Sequence, residues 1–282
     1  MADTVGEQDL RAAAVSKVVE GFALQEYRLK QLCMIQSSNA WTETYYAETS
    51  TELTAGGEIT VAGVPRLANF PYGEVSWTET SGRNVKHAME GVISWEDVKT
   101  DAIDVIARTL LRIARAVAYS VDSTIAAAIL AGAGNTTAAN ATWNNAIMAD
   151  RDPIQDILDA KSEIEIDNYN PNRNGYIIMH PTNFAELLGN ANVRNAGQFY
   201  TDDVTKNGKV GRICGLTIIS SISVTEGGCQ VIVGKEACTW KSVVGLTTKT
   251  MEDPGIKYTI RAWEVGQIQV VNANAICKIT GV

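Results

Sequence analysis

Two histidines in 282 residues leave little for acid–base chemistry near neutral pH, and no second histidine stands three to five positions from His87 or His180. A zinc site built on a local histidine pair is therefore excluded. The five cysteines, Cys33, Cys214, Cys229, Cys238 and Cys277, are scattered and never form Cys-x-x-Cys. Buried free thiols in a reducing compartment are the expectation. Basic clusters are also missing: 24 Lys and Arg are set against 32 Asp and Glu, for a net charge of -8. That balance argues against general nucleic-acid binding, which needs a concentrated positive surface. The N-terminus "MADTVGEQDLRAAAVSK" lacks the apolar core of a signal peptide, and no unbroken apolar run of about 18 residues is available to cross a bilayer.

What the chain does have is a 45% apolar composition, ample for a sizeable core, and an uneven distribution of patterns. From Asp9 to Met34, Leu10, Val15, Val18, Val19, Phe22, Leu29 and Leu32 recur at roughly helical spacing, with an interruption at Gly21. This predicts one or two amphipathic helices whose apolar stripe needs a partner, and another subunit is a candidate. From Trp41 to Val92 the sequence turns to Thr, Tyr, Val and Gly. Alternation over Trp41–Tyr45 and Glu74–Thr80, with Gly56-Gly57 and Pro71 between, predicts a long hairpin with a wide tip. So extended an arm has too few apolar residues for a core of its own. Its ordering, at about 1 to 2 kcal/mol of backbone entropy per residue, must be offset by docking.

The longest helical pattern follows. Ser94 and Asp97 form a variant capping box, and from Val98 to Ile129 apolar and small residues hold one face while Arg108, Arg112 and Arg115 lie away from it. At 1.5 Å per residue the helix would be a rod of about 50 Å, longer than a compact domain of this size needs. "AGAGNTTAANATW" then reads as a helix-terminating linker, because it follows a helix and lacks the lysine of a phosphate loop. Asp152-Pro153 opens a second helix, "YIIM" is a short buried strand, and His180-Pro181 opens a third helix, together an α/β layer. "GRICGLTIISSISV", "CQVIVGKEAC" and "KSVVGLTTKT" predict further strands. The last segment alternates over Tyr258–Val265 and Gln267–Val271, predicting antiparallel strands with a weak turn at Gly266.

Nothing catalytic stands out. The carboxylates Glu163, Glu165, Asp167, Asp202 and Asp203 fit a solvated face, the triplets at Asn135 and Asn140 carry no weight in a cytoplasmic chain, and no Gly-x-Ser-x-Gly elbow occurs. No catalytic residue, cofactor-binding residue or metal ligand is assigned.

The order of parts carries more information: N-terminal arm, long hairpin, long helix, α/β unit, closing strands. With "EGVISWEDV", "RIARAVAYSVDSTI", "YIIMHPTNFAELL", "RICGLTIISS", "CQVIVGKEAC" and "NANAICKI", this order resembles the major capsid proteins of tailed double-stranded DNA viruses, the Hong Kong 97-like family, which includes encapsulins. The resemblance spans nearly the whole chain. It implies an α+β capsid fold with an N-terminal arm at 1–44, an extended loop at 45–92 and a peripheral domain with the spine helix at 93–151. An axial domain would follow at 152–244, peripheral strands at 245–271 and a final axial strand at 272–282.

The resemblance further implies a structural protein, not an enzyme, that assembles as hexamers and pentamers of an icosahedral shell, in a host cytoplasm and then in the virion. It would enclose DNA without sequence-specific binding, work with a portal and a scaffold or decoration protein, need no cofactor and contact no membrane. A negative chain fits a container whose wall should not trap the entering duplex. Leu53, Ile59, Val61, Val64, Leu67, Phe70, Tyr72 and Trp77 are the expected intersubunit contacts of the extended loop. One branch of the family cross-links its shell through a loop lysine, but 45–85 contains none, and Lys86 is the nearest. Noncovalent contacts are therefore expected. The chain begins directly with the arm, so a scaffolding segment is expected to be separate or removed by a protease. The alternatives are an encapsulin-like shell enclosing enzyme cargo and an α/β enzyme with an inserted hairpin.

Overall fold

The computed structural model describes residues 12–48, 63–70, 77–100, 105–147, 150–190, 193 and 211–282. Their first element is helix α1, Ala12–Glu26, which runs through Gly21 without a break. Its stripe Val15, Val19 and Ala23 is buried against helix α3, Val105–Ala131, of the same chain. The expected interruption at Gly21 is thus absent, and the partner of this stripe is intramolecular. Propensity alone made Gly21 a breaker, but about 1 kcal/mol of glycine penalty is outweighed by the burial of three apolar side chains.

The expected helix from Ser94 appears as α2, Trp95–Thr100, and α3, with 101–104 outside the described residues. Ser94 Oγ accepts from the Asp97 N–H at 3.1 Å, as the capping pattern requires. α3 alone is about 40 Å long at 1.5 Å per residue. Its buried residues include Ile113, Val117, Val121 and Ile125, and also a second stripe of Leu110, Ala114, Ala118 and Ala126. The single face expected from periodicity is too narrow because α3 has neighbours on two sides, α1 on one and a sheet on the other. By length and composition α3 is apolar enough to cross a membrane, although Arg115 and Asp122 interrupt it and no unbroken apolar run of about 18 residues occurs. Half of its most apolar window is buried inside the protein, so its hydropathy belongs to a core helix.

That sheet has the order β1 (Met34–Ser37), β10 (Cys238–Asp253), β11 (Lys257–Val270), β4 (Val85–Ser94). β4 pairs antiparallel with β11 from Val85 to Ser94, a ten-residue strand where the sequence reading saw the base of a loop. β11 is continuous through Gly266, so the turn expected there does not exist. The reversal lies between Asp253 and Lys257, where Ile256 N–H donates to Asp253 O at 3.0 Å and Gly255 has φ +75. Gly266 has a packing role instead: a Cβ there would lie 2.5 Å from Trp240 Cζ2, and Trp240 is fully buried. Gly91 on β4 does the same for α3, because a Cβ would come within 2.7 Å of Ile113 Cδ1.

A second sheet has the order β5 (Asn135–Ala138), β12 (Ile276–Thr280), β9 (Cys229–Val233), β6 (Gly175–Met179), β8 (Leu216–Ser220), β7 (Arg212–Ile213). The presumed linker after α3 therefore contributes β5, an edge strand parallel to β12. Helix α4, Pro153–Ile166, starts where expected, with Asp152 Oδ1 accepting from Gln155 N–H at 3.3 Å. A single-turn helix α5, Pro171–Asn174, leads into β6, and α6, Pro181–Gly189, leaves it. The turn between β7 and β8 puts Cys214 and Gly215 both at positive φ, 50 and 84, as a two-residue hairpin loop demands. β10 carries the chain from this sheet to the first, and one continuous buried core spans both.

Candidate assembly surface

The predicted hairpin forms from β2 (Thr42–Glu48) and β3 (Trp77–Arg83), paired antiparallel from Thr42↔Arg83 to Glu48↔Trp77. These two strands make a sheet of their own. The base is tied to the body: Asn84 Nδ2 donates to Ala40 O at 2.7 Å, and Asn84 N–H to Trp41 O at 3.0 Å. From the base outward, large apolar side chains face the open. Trp41, Tyr46 and Trp77 are exposed, as are Val64, Leu67 and Phe70 in the tip segment. Leu67 is wholly exposed and sits at φ +68, a conformation that a bulky residue adopts at a cost. Of the eight residues expected to contact a neighbour, Val64, Leu67, Phe70 and Trp77 are thus exposed here. Leu53, Ile59, Val61 and Tyr72 lie outside the described residues.

Opposite in character is the junction that holds the N-terminal segment. Asp122 on α3 accepts the backbone N–H groups of Arg28 at 2.7 Å, Leu29 at 3.2 Å and Lys30 at 3.1 Å. Glu264 on β11, fully buried, accepts from the Tyr27 hydroxyl at 2.5 Å and pairs with the Lys30 ammonium. Both carboxylates are away from solvent and both have donors, the condition under which a buried charge is tolerated. Burial raises the Asp122 pKa, against the pull of its three backbone donors and of Lys30. Burial, then the Glu264 charge, pushes the Tyr27 phenol far up, so it remains a donor. Sequence reasoning missed this junction, since Asp122 and Glu264 look like ordinary polar interruptions. The one signal was a carboxylate in the middle of each apolar pattern.

The residues weighed for chemistry are occupied with structure. His87 is buried, its Nδ1 lies 2.8 Å from Ser120 Oγ, and its ring is 6.2 Å from that of Trp240. Burial lowers its pKa, with Glu264 acting against and Lys30 with that shift. His180 caps α6, its Nδ1 accepting from the Thr182 N–H at 3.3 Å. Asp167 accepts from Asn135 Nδ2 at 2.7 Å and Glu165 from Asn172 Nδ2 at 3.1 Å, while Asp202 and Asp203 lie outside the described residues. Asp156 anchors the loop after β5 by accepting from Trp143 Nε1 at 3.0 Å and Asn140 N–H at 3.1 Å. All five cysteines are free. Among the described residues no His, Cys, Asp and Glu side chains gather as a metal site. A cleft of about 290 Å³ between the end of α1, α3 and the loop after β8 has its charged side chains engaged. There Arg115 meets Glu26 at 2.7 Å and Arg28 donates to Ser220 O at 2.6 Å.

A helix packed along a four-stranded sheet, a second mixed sheet and a projecting hairpin form an arrangement that known proteins share. Residues 85–279 match the family described as phage capsid protein. The chain belongs to that family. Its fold is the α+β, Hong Kong 97-like capsid fold. The capsid of cyanophage P-SCSP1u superposes with a TM-score of 0.66 at 14% identity, over 99% of this chain and 92% of that one. The Mycobacterium phage Che8 chain gives 0.63 at 15% identity, over 99% and 93%. A virus-like particle from Pyrococcus furiosus gives 0.66 at 11% identity, over 96% and 100%. No curated protein matches the sequence. A phage capsid protein is a structural shell subunit that works in many copies within the virion, and the family match favours this over the encapsulin-like alternative.

Proposed function

We propose that this chain is the major capsid subunit of a tailed bacterial or archaeal virus, forming by noncovalent contacts the hexamers and pentamers of an icosahedral shell around double-stranded DNA. The observation that carries the reading is the hairpin. Its described residues hold bulky apolar side chains in the open, on a chain of the phage capsid family. Leu53, Ile59, Val61, Val64, Leu67, Phe70, Tyr72 and Trp77 are buried when the outer part of the extended loop, 45–92, whose last residues return to the body as β4, lies across a neighbouring subunit. Segments 93–151 and 245–271 then serve as the peripheral domain, 152–244 and 272–282 as the axial domain, and 1–44 as the arm. Assembly takes place in the host cytoplasm with a portal and a scaffold or decoration protein, and it requires no catalytic residue.

The absence of lysine from 45 to 85 supports a shell without covalent links. Lys86, the nearest, sits on β4 with its ammonium 5.8 Å from the Trp263 ring. The test is light scattering with negative-stain microscopy on the purified chain and on a variant lacking 52–72. Shells or capsomer rings from the intact chain, and small species from the deletion, are expected. The same small particle from both, across concentration and salt, overturns the proposal.

A further inference from the structure

Two of the cysteines meet. Cys33 sits just before the edge strand β1 and Cys238 opens β10, and the parallel register of these strands, starting at Met34↔Thr239, sets the two residues opposite each other. Their sulfur atoms are 3.2 Å apart, although 205 positions separate them in the chain. Neighbouring strands lie about 4.8 Å apart, within the backbone separation of about 4.4 to 6.8 Å that a disulfide spans. The three remaining thiols are placed differently: Cys277 faces Thr137 Oγ1 at 3.3 Å, Cys229 is buried at the start of β9 in the second sheet, and Cys214 stands on the β7–β8 turn.

We propose that Cys33 and Cys238 are a latent disulfide, closed by a small-molecule disulfide such as oxidised glutathione, which staples the N-terminal segment to β10. In the closed state both thiols are buried. Hydrogen bonding to Cys238, then burial, holds the Cys33 thiol protonated, so the reaction waits on local opening. The opening element is β1, a four-residue edge strand whose Met34 and Ile35 side chains are already exposed.

Once released, the Cys33 thiol loses its proton to solvent and its thiolate attacks one sulfur of the glutathione disulfide, expelling one glutathione thiolate. Cys238, uncovered by the same opening, gives its proton to solvent, and its sulfur attacks Cys33 Sγ of this mixed disulfide as β1 closes, expelling the second. Two protein thiols are oxidised, one glutathione disulfide is reduced, and both leaving thiolates take up protons. Use of the staple to stiffen a shell outside the reducing cell rests on the capsid reading. Its formation does not.

The experiment treats the full chain with a glutathione redox series, with and without a sub-denaturing concentration of urea to open β1. An acid quench, alkylation, thiol counting and peptide mapping follow. Loss of two of the five thiols, a single Cys33–Cys238 linked peptide and a rise of roughly 5 to 15 °C in melting midpoint are expected. In Cys238→Ser, glutathione is expected to accumulate on Cys33. Five thiols remaining in both conditions, linkage of any other pair, or glutathione adducts alone in the wild type overturn the inference. Whether the chain forms shells does not enter the readout, so this result and the assembly result fail separately.

Discussion

The hairpin β2–β3 and the layer of α3 on β10–β11 spend their large side chains in opposite ways. In the layer, Trp240, Ile113, Val121 and Ile260 are buried, and even the polar Glu264 and Asp122 are enclosed with donors in place. In the hairpin, Trp41, Tyr46, Trp77, Leu67 and Phe70 remain exposed. The core of the layer is therefore closed within one chain, whereas these described side chains of the hairpin are left uncovered by it. On the proposed reading, stability of the fold and capacity to assemble rest on different residues, so either is expected to change with little effect on the other.

Separate sets of substitutions break or sharpen this contrast, all read by denaturant unfolding of the unassembled chain. The largest loss is expected from Glu264→Ala, which leaves the Lys30 ammonium and Tyr27 hydroxyl without their acceptor. About 3 to 5 kcal/mol is the expected range. A loss below about 1 kcal/mol would mean that the junction is not closed in solution. Gly266→Ala should cost about 1 to 3 kcal/mol, because its methyl group meets the Trp240 ring. Pairing it with Trp240→Phe should recover part of that cost, and simple additivity would refute the contact.

His87 gives a smaller effect that depends on pH. Its folded pKa lies below the ordinary 6.5, so the unfolded chain binds the proton more readily. The neutral ring's stability is complete above about pH 6.5 and is lost as pH falls through the folded value. Glu264 on β11 and Lys30 are the charges that act on it, and Ser120 on α3 is its hydrogen-bond partner. In His87→Asn this slope below pH 6.5 should vanish. An identical slope in both proteins would assign the acid sensitivity elsewhere. Asp122, with its pKa raised from 3.8, works in the opposite direction, its contribution falling as pH rises above 3.8. The smallest change is expected in the hairpin: Leu67→Ser with Phe70→Ser should shift folding by less than about 0.5 kcal/mol while reducing assembly. A loss of folding stability like that of Gly266→Ala would show that the tip packs on its own chain.

Much of the fold was legible in local pattern. The caps at Ser94 and Asp152, the strand before His180 and the two arms of the hairpin rest on interactions within a few residues or on period-2 alternation, and each appears in place. The errors share a cause. Local pattern reads Gly21 and Gly266 as breaks because glycine is weak in a helix or strand, yet Gly266 is needed for the close approach of Trp240, and Gly21 sits in a helix that α3 supports. The second stripe of α3, the strand β4 and the conversion of the Gly-rich stretch into β5 depend on neighbours far away in the chain. For the candidate surface, the sequence placed bulky apolar residues in the tip, and only the tertiary structure exposes Leu67 and Phe70.

By itself the sequence determined composition, element order, helix starts and the lack of assembled catalytic motifs, because these depend on residue type and short spacing. Only the tertiary structure decided that Asp122 and Glu264 clamp the N-terminal segment, that Cys33 touches Cys238, and that α3 is covered on two sides. Each of these joins residues from distant parts of the chain, and periodicity along one strand or helix carries no information about what packs against it.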